Sequence, residues 1–292
     1  MQGPGEADTV GVTKRITSRS LSDCLFASSP PQYACMKITS LALSLLLITA
    51  AAHAQAPAAP PAKPAAPAVV LPPQPPDVPA EKYGKDGKIN PGFIASHEKF
   101  VSIAKEGKAQ LVFLGDSITA GWAGSGKEVW AKAFGEYTPA NFGIGGDRTQ
   151  HVLWRIQNGE LDGGIKPKAV VLMIGTNNSG SDPAEGIAKG VTAIVKTIRE
   201  KQPQAKILLL AVFPRGEKAS PNPGRDKLKQ VNEIIAKLDD GKNVFFLDIG
   251  GKFLQPDGSL TKEIMPDFLH LSPAGYQIWA DAISPKLAEL MK

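Results

Sequence analysis

Five apolar runs rich in Val, Ile, Leu and Phe recur along the chain, at residues 110–115, 140–144, 169–174, 206–213 and 243–248. Three of them are apolar at consecutive positions instead of alternating, as expected of strands covered on both faces. The stretches between them carry helical spacing. The clearest is 183–201, where Ile187, Val191, Ile194, Val195 and Ile198 fall on one face. A second covers 226–238. A third, 273–291, opens with Ser272 as its cap and Pro273 at the first helical position. Strand–helix alternation repeated in this way predicts an α/β domain, a five-stranded parallel sheet with helices on both faces. No internal repeat and no second domain is apparent.

Upstream of residue 83 the pattern is different. Residues 1–35 have neither period and read as an extension ahead of the natural start, with Met36 as the expected initiator. Met36 and Lys37 lead into an apolar run from Leu41 to Ala52 that leaves through Ala52-His53-Ala54. A charged start, a short apolar core and small residues at the exit predict a signal peptide over 36–54, cleaved before Gln55. An uncleaved N-terminal anchor is the competing reading. From 55 to 82 Pro and Ala dominate, a composition that stays extended and predicts a linker. The folded domain is expected over 83–292, and its location secreted or periplasmic.

Composition removes several function classes. Both cysteines, Cys24 and Cys35, precede Met36, so the processed chain would have no thiol nucleophile, disulfide or cysteine metal site. Lys and Arg number 33 against 28 Asp and Glu, a small and scattered excess that gives no footprint for nucleic acid. Beyond the N-terminal third no apolar run is long enough for a stable membrane span.

Ligands of open parallel sheets bind beyond the carboxyl ends of the strands. Four segments at or past such ends carry chemistry: Gly115-Asp116-Ser117, the glycine loop from Gly143 to Asp147, Gly175-Thr176-Asn177-Asn178, and Asp267-Phe268-Leu269-His270. Ser117 needs a base before its hydroxyl becomes a useful nucleophile. His270 is the candidate, three residues after a carboxylate, Asp267, that would orient its ring and stabilise the imidazolium. His97 and His151 read as surface or packing residues. Backbone N–H groups at Ser117 and Gly146 and the side-chain amide of Asn177 are candidate oxyanion donors. Taken singly, Ser117 reads as a helix cap, Gly146 as a tight turn and Asn177 as a turn cap. Their occurrence in order, each at a strand end, is what favours acyl transfer.

Two other motifs fail on detail. Residues 121–127 have phosphate-loop spacing, but Glu128 stands where a hydroxyl would hold magnesium. Gly143-x-Gly145-x-x-Arg148 lacks the third glycine of a dinucleotide fingerprint. Asp116 competes with Asp267 as the acidic partner, but as the neighbour of Ser117 it is expected to point away from His270.

Gly115-Asp116-Ser117-Ile118, Gly146, Gly175-Thr176-Asn177 and Asp267-x-x-His270 resemble the four blocks of the GDSL, or SGNH, hydrolases. Within that group Asn141 to Asp147, His151 to Arg155, Gly175 to Asn178, Pro214 to Lys218 and Asp267 to Leu271 are similar to the catalytic subunits of platelet-activating-factor acetylhydrolase. The resemblance covers nearly the whole domain. It implies a flavodoxin-like three-layer fold, Ser117 as nucleophile, His270 as base held by Asp267, and an oxyanion hole from Ser117, Gly146 and Asn177. It implies no metal and no organic cofactor, and a small-molecule or polysaccharide ester as substrate. Relatives of this type can pair, so a homodimer is a partner it allows. Ile118 departs from the Leu of the family name and bears on pocket shape alone. With Thr176 and Leu269 it is expected to narrow an acyl pocket, so short acyl groups, acetyl above all, are the expected substrates. The alcohol is left open between carbohydrate and phospholipid, with lysophospholipase or thioesterase activity on the same groups as an alternative. A non-catalytic carbohydrate-binding module of this fold is the rival of another class; a missing triad member would be its sign, and none is missing.

Overall fold

The protein is described by a computed structural model over residue 71 and residues 73–292. The expected extension at 1–35, the signal peptide at 36–54, both cysteines and most of the expected linker lie outside the described residues.

Five parallel strands form one sheet in the order β2-β1-β3-β4-β5: β1 Leu111–Gly115, β2 Pro139–Gly143, β3 Ala169–Met173, β4 Lys206–Leu210 and β5 Val244–Leu247. The central strands β1 and β3 are buried at every position, which is why they read as unbroken apolar runs. β2 at one edge alternates, and β5 at the other is half-exposed along most of its length. β4 stops pairing at Leu210, short of the predicted 213. Residues 211–213 stay buried and run on past the sheet, with Val212 bonded through both its N–H and its C=O to the side chain of Asn232.

Among the described residues seven α-helices connect and cover the strands: α1 Pro91–Glu106, α2 Ser117–Ala120, α3 Lys127–Phe134, α4 Thr149–Arg155, α5 Ala184–Lys201, α6 Pro223–Ile235 and α7 Pro273–Leu290. Right-handed crossovers from β2 through to β5 place α4, α5 and α6 side by side on one face, with α3 and α7 packed together on the other. α6 begins before the predicted Asp226 because Asn222 caps it, accepting from the Arg225 N–H at 3.0 Å, and Pro223 occupies the first turn. Between α3 and α7 the core is aromatic: Trp122 lies 4.5 Å from Tyr276 and 5.0 Å from Trp279, centroid to centroid.

The chain also packs upstream of Tyr83, inside the expected linker. The Ala80 N–H donates to the Gln150 carbonyl at 3.1 Å, and the Thr149 hydroxyl donates to the Pro76 carbonyl at 2.8 Å. Gln150 reaches the Gln74 carbonyl at 3.1 Å, and the Lys82 carbonyl accepts from Asn90 at 2.7 Å. Residues 74–83 thus form a strap hydrogen-bonded to α4 and to the start of α1. Proline removes a backbone donor but leaves its carbonyl, and the Pro76 carbonyl is one of the three that the strap offers to α4 and the start of α1, beside those of Gln74 and Lys82. Among the described residues no helix is long and apolar enough to cross a membrane.

Candidate active site

The chain passes from β1 to β2 on one side, then returns to place β3 on the other, and this reversal opens a crevice at the carboxyl ends of β1 and β3. Ser117 stands there as the first residue of α2. Asp116 caps that helix through Oδ1, which accepts from the Ile118 N–H at 3.0 Å. Gly115 permits the tight exit from β1, since a Cβ there would fall 2.4 Å from the Met173 carbonyl oxygen. From α7 the Tyr276 hydroxyl donates to the Ile118 carbonyl at 2.7 Å, pinning the turn from below.

The segment ahead of α7 brings the imidazole. His270 Nε2 lies 2.8 Å from Ser117 Oγ, and its Nδ1 lies 2.7 Å from Asp267 Oδ2. Oδ1 of Asp267 accepts from the N–H groups of Leu269 at 3.1 Å and His270 at 2.7 Å, so one carboxylate fixes both the ring and its backbone. Phe268 adopts φ 58, a left-handed turn that lets the carboxylate fold back onto those donors. Burial alone would raise the Asp267 carboxyl; bonds from the His270 ring, the His270 N–H and the Leu269 N–H outweigh it and hold the group below the usual range. A carboxylate-to-imidazole-to-hydroxyl relay of this kind can withdraw a proton from Oγ as a carbonyl carbon is attacked.

Neither the Ser117 N–H nor the Gly146 N–H has a protein acceptor among the described residues. Gly146 has φ 73, in the region that glycine enters freely. Asn177, in the turn after β3, holds its Nδ2 2.8 Å from the Asp147 carbonyl and 3.3 Å from Asp116 Oδ2. Its amide is therefore positioned, and as an oxyanion donor it would share a hydrogen with one of these acceptors.

Asp116 is 0% exposed and accepts hydrogen bonds from the Ile118 N–H and from Asn177 Nδ2, while Asp267 is the carboxylate bonded to the imidazole. Burial, reinforced by the charge of Asp147, pushes the Asp116 carboxyl up to about 7 against the Ile118 hydrogen bond. Of the expected pocket residues, Ile118 is 1% exposed and packs in the core beneath the site. Thr176 is also buried, its Oγ1 accepting from Arg215 Nη1 at 3.1 Å, and Leu269 is half-buried beside His270. Thr176, Asn177 and Arg215 line an open cleft of about 440 Å³.

Beneath the glycine loop lies a charged network with no counterpart in the sequence reading. Arg155, 0% exposed, donates from Nε to Asp147 Oδ2 at 2.9 Å and from Nη1 to Glu160. Its Nη2 donates to the carbonyls of Phe142 at 3.1 Å and Gly115 at 3.3 Å, tying together the ends of β2 and β1. His97 meets Glu160 at 2.9 Å. His151 accepts from the Arg148 N–H at 3.1 Å, and burial with the charges of Lys82, Arg148 and Arg155 lowers it to about 3. Both histidines are packing residues, and neither is at the surface. The overlooked signal is an arginine on the helix face shared by Val152 and Ile156.

The sequence matches the GDSL-like Lipase/Acylhydrolase family over residues 113–278. It is 40% identical over 214 residues to the platelet-activating factor acetylhydrolase IB subunit alpha1 of Homo sapiens, covering 73% of this chain and 88% of that protein. It is 44% identical over 185 residues to the alpha2 subunit of Rattus norvegicus, covering 63% and 78% respectively. In structure it is similar to a GDSL-like lipase of Bacteroides thetaiotaomicron, with a TM-score of 0.55 and 17% identity over 68% of this chain and 97% of that one, a likeness of fold.

Proposed function

Starting from a chain that belongs to the GDSL-like lipase/acylhydrolase family, and so is a carboxylic ester hydrolase, we propose that it is an exported serine esterase removing short acyl groups, acetyl above all. The single observation that carries the mechanism is the unbroken hydrogen-bond relay from Asp267 through His270 to Ser117. Ser117 Oγ attacks the ester carbonyl carbon while His270 Nε2 takes its proton. Charge on the carbonyl oxygen is met by the N–H groups of Ser117 and Gly146 and by the Asn177 amide. The intermediate collapses to the acyl-enzyme, and the alkoxide leaves with the proton returned from Nε2. A water then attacks in the same way, its proton passing to Nε2 and on to the departing Ser117 Oγ, and the free acid is released.

Acetyl as the acyl group is supported by the names of the two mammalian relatives, both acetylhydrolase subunits. We assign the alcohol, an acetylated sugar or an acetylated phospholipid, to the open cleft lined by Thr176, Asn177 and Arg215, because Asn177 belongs to both the cleft and the candidate oxyanion donors. Export rests on the signal-like stretch at 36–54. The test is turnover of p-nitrophenyl esters of increasing chain length. Acetate is expected to be the best substrate, since each added methylene changes the fit by about 1–3 kcal/mol. Faster turnover of octanoate would overturn the short-acyl reading.

A further inference from the structure

The Gly145–Gly146 peptide presents an unusual problem. It carries the N–H expected to meet the oxyanion, yet it joins two residues without side chains in an exposed loop. The peptides around it are held by the backbone, with Ile144 N donating to Gly115 O at 3.3 Å and Asp147 N to Ile144 O at 3.2 Å. The Gly145–Gly146 peptide itself has one hydrogen-bond partner among the described residues. That partner is the ammonium of Lys82, which donates to the Gly145 carbonyl.

We propose that Lys82, on the strap that precedes α1, is a positioning residue for the oxyanion hole: by gripping the Gly145 carbonyl it fixes the peptide plane that presents the Gly146 N–H. The inference rests on the esterase reading above. A trans peptide is planar, so its C=O and N–H point in opposite directions, and whatever fixes one aims the other. A positive charge on the oxygen also polarises the amide, making its N–H a stronger donor as charge grows on a substrate carbonyl. The ammonium sits where this demands. A Cβ at Gly146 would lie 3.1 Å from Lys82 Nζ, so the two are already in contact, and the Lys82 side chain is only 18% exposed. Its approach is fixed at both ends. The Lys82 carbonyl is held by Asn90, Ala80 is held by Gln150, and Nζ lies 3.4 Å from Asp147 Oδ1. A segment with the composition of a linker thereby reaches 63 positions along the chain into the site.

Lys82 could instead serve merely to offset the buried charge of Asp147, and the test separates the two roles. In the full chain, Lys82→Met is expected to lower kcat on p-nitrophenyl acetate by roughly 10–100-fold with KM within about twofold, the signature of a contact made stronger in the transition state. Lys82→Arg, which can still donate to the carbonyl, should recover kcat to within about threefold. The loss should persist when Lys82→Met is made in an Asp147→Asn background, where there is no carboxylate charge to offset. Should Lys82→Met fail to fold, Lys82→Gln serves in its place, its neutral amide giving a smaller loss in kcat. Unchanged kcat in a folded variant, or a loss that vanishes in the Asp147→Asn background, overturns the inference alone, provided Ser117→Ala is inactive. If the wild type turns over no acetyl ester, the esterase reading falls and the inference with it.

Discussion

The Ser117 hydroxyl and the His270 imidazole, 153 positions apart in sequence, meet at 2.8 Å. One is delivered by the end of β1 and the other by the turn that launches α7. The contact therefore reports that the sheet and the last helix have docked correctly, and it is the point at which fold and chemistry join.

In the proposed mechanism Ser117→Ala removes the attacking atom. Turnover of p-nitrophenyl acetate is expected to fall by at least about 1,000-fold, with any residue coming from the oxyanion donors. A fluorophosphonate probe should label the wild type and leave the variant unlabelled. Labelling of Ser117→Ala would place the nucleophile elsewhere.

Asp267→Asn keeps the size of the side chain but exchanges the carboxylate on His270 Nδ1 for an amide that can present the wrong atom to the ring. In serine proteases with a buried carboxylate the same change costs about 10,000-fold in kcat. Asp267 is exposed to water, which can replace part of its role, so a loss of about 100-fold is expected, mostly in kcat. A loss expressed purely in KM would contradict the assignment.

Asp116 predicts a pH effect on stability. Its carboxyl ionises at about 7 in the folded protein against 3.8 ordinarily, burial being the main cause. Between those values the native state holds a proton that the unfolded chain has released. The contribution is complete below pH 4 and is lost as the pH rises through 7. Asp116→Asn has no such proton to lose. Melting temperatures of the two proteins, measured from pH 5 to pH 8, should diverge against the wild type as pH increases; a constant difference would show that Asp116 does not titrate in this range.

Arg155→Met would leave Asp147 and Glu160 buried without their shared cation. Breaking a buried ion pair from one side costs about 3–5 kcal/mol. For a domain of this size that corresponds to a fall in Tm of roughly 10 °C. Because Nη2 also ties Gly115 to Phe142, acetyl-ester activity should decline at temperatures where the variant is still folded. A variant as stable as wild type would show the network to be dispensable.

Much of this was legible in the sequence, for a physical reason. Strands buried on both faces, such as β1 and β3, have nowhere to put polar side chains, so they appear as apolar runs whatever the rest of the protein does. Once they are located, the strand-end rule places Ser117, Gly146 and Asn177 on one rim, and Asp267 with His270 follows from the loop before a capped helix. What stayed hidden depends on contacts that no local pattern encodes. The first turn of α6 carries a proline and a glycine where a helical period would otherwise show, so its start at Pro223 was invisible. The strap from Gln74 to Tyr83 looks like linker because proline content speaks for extension, and extension is compatible with being bound. Arg155 is visible as a charge on an apolar helix face, but its partners Asp147 and Glu160 come from the loop before α4 and the turn after it.

The Tyr276 hydroxyl that clamps Ile118 and the imidazole of His270 belong to one late stretch of polypeptide. Translation runs from the N-terminus, so Ser117 emerges from the ribosome well ahead of both the imidazole that meets its hydroxyl and the phenol that steadies its turn. A chain that has not yet docked its last helix carries a serine without the imidazole beside it, and so no better a nucleophile than any other. In the proposed mechanism the site is therefore completed last, by the stretch that carries both His270 and Tyr276.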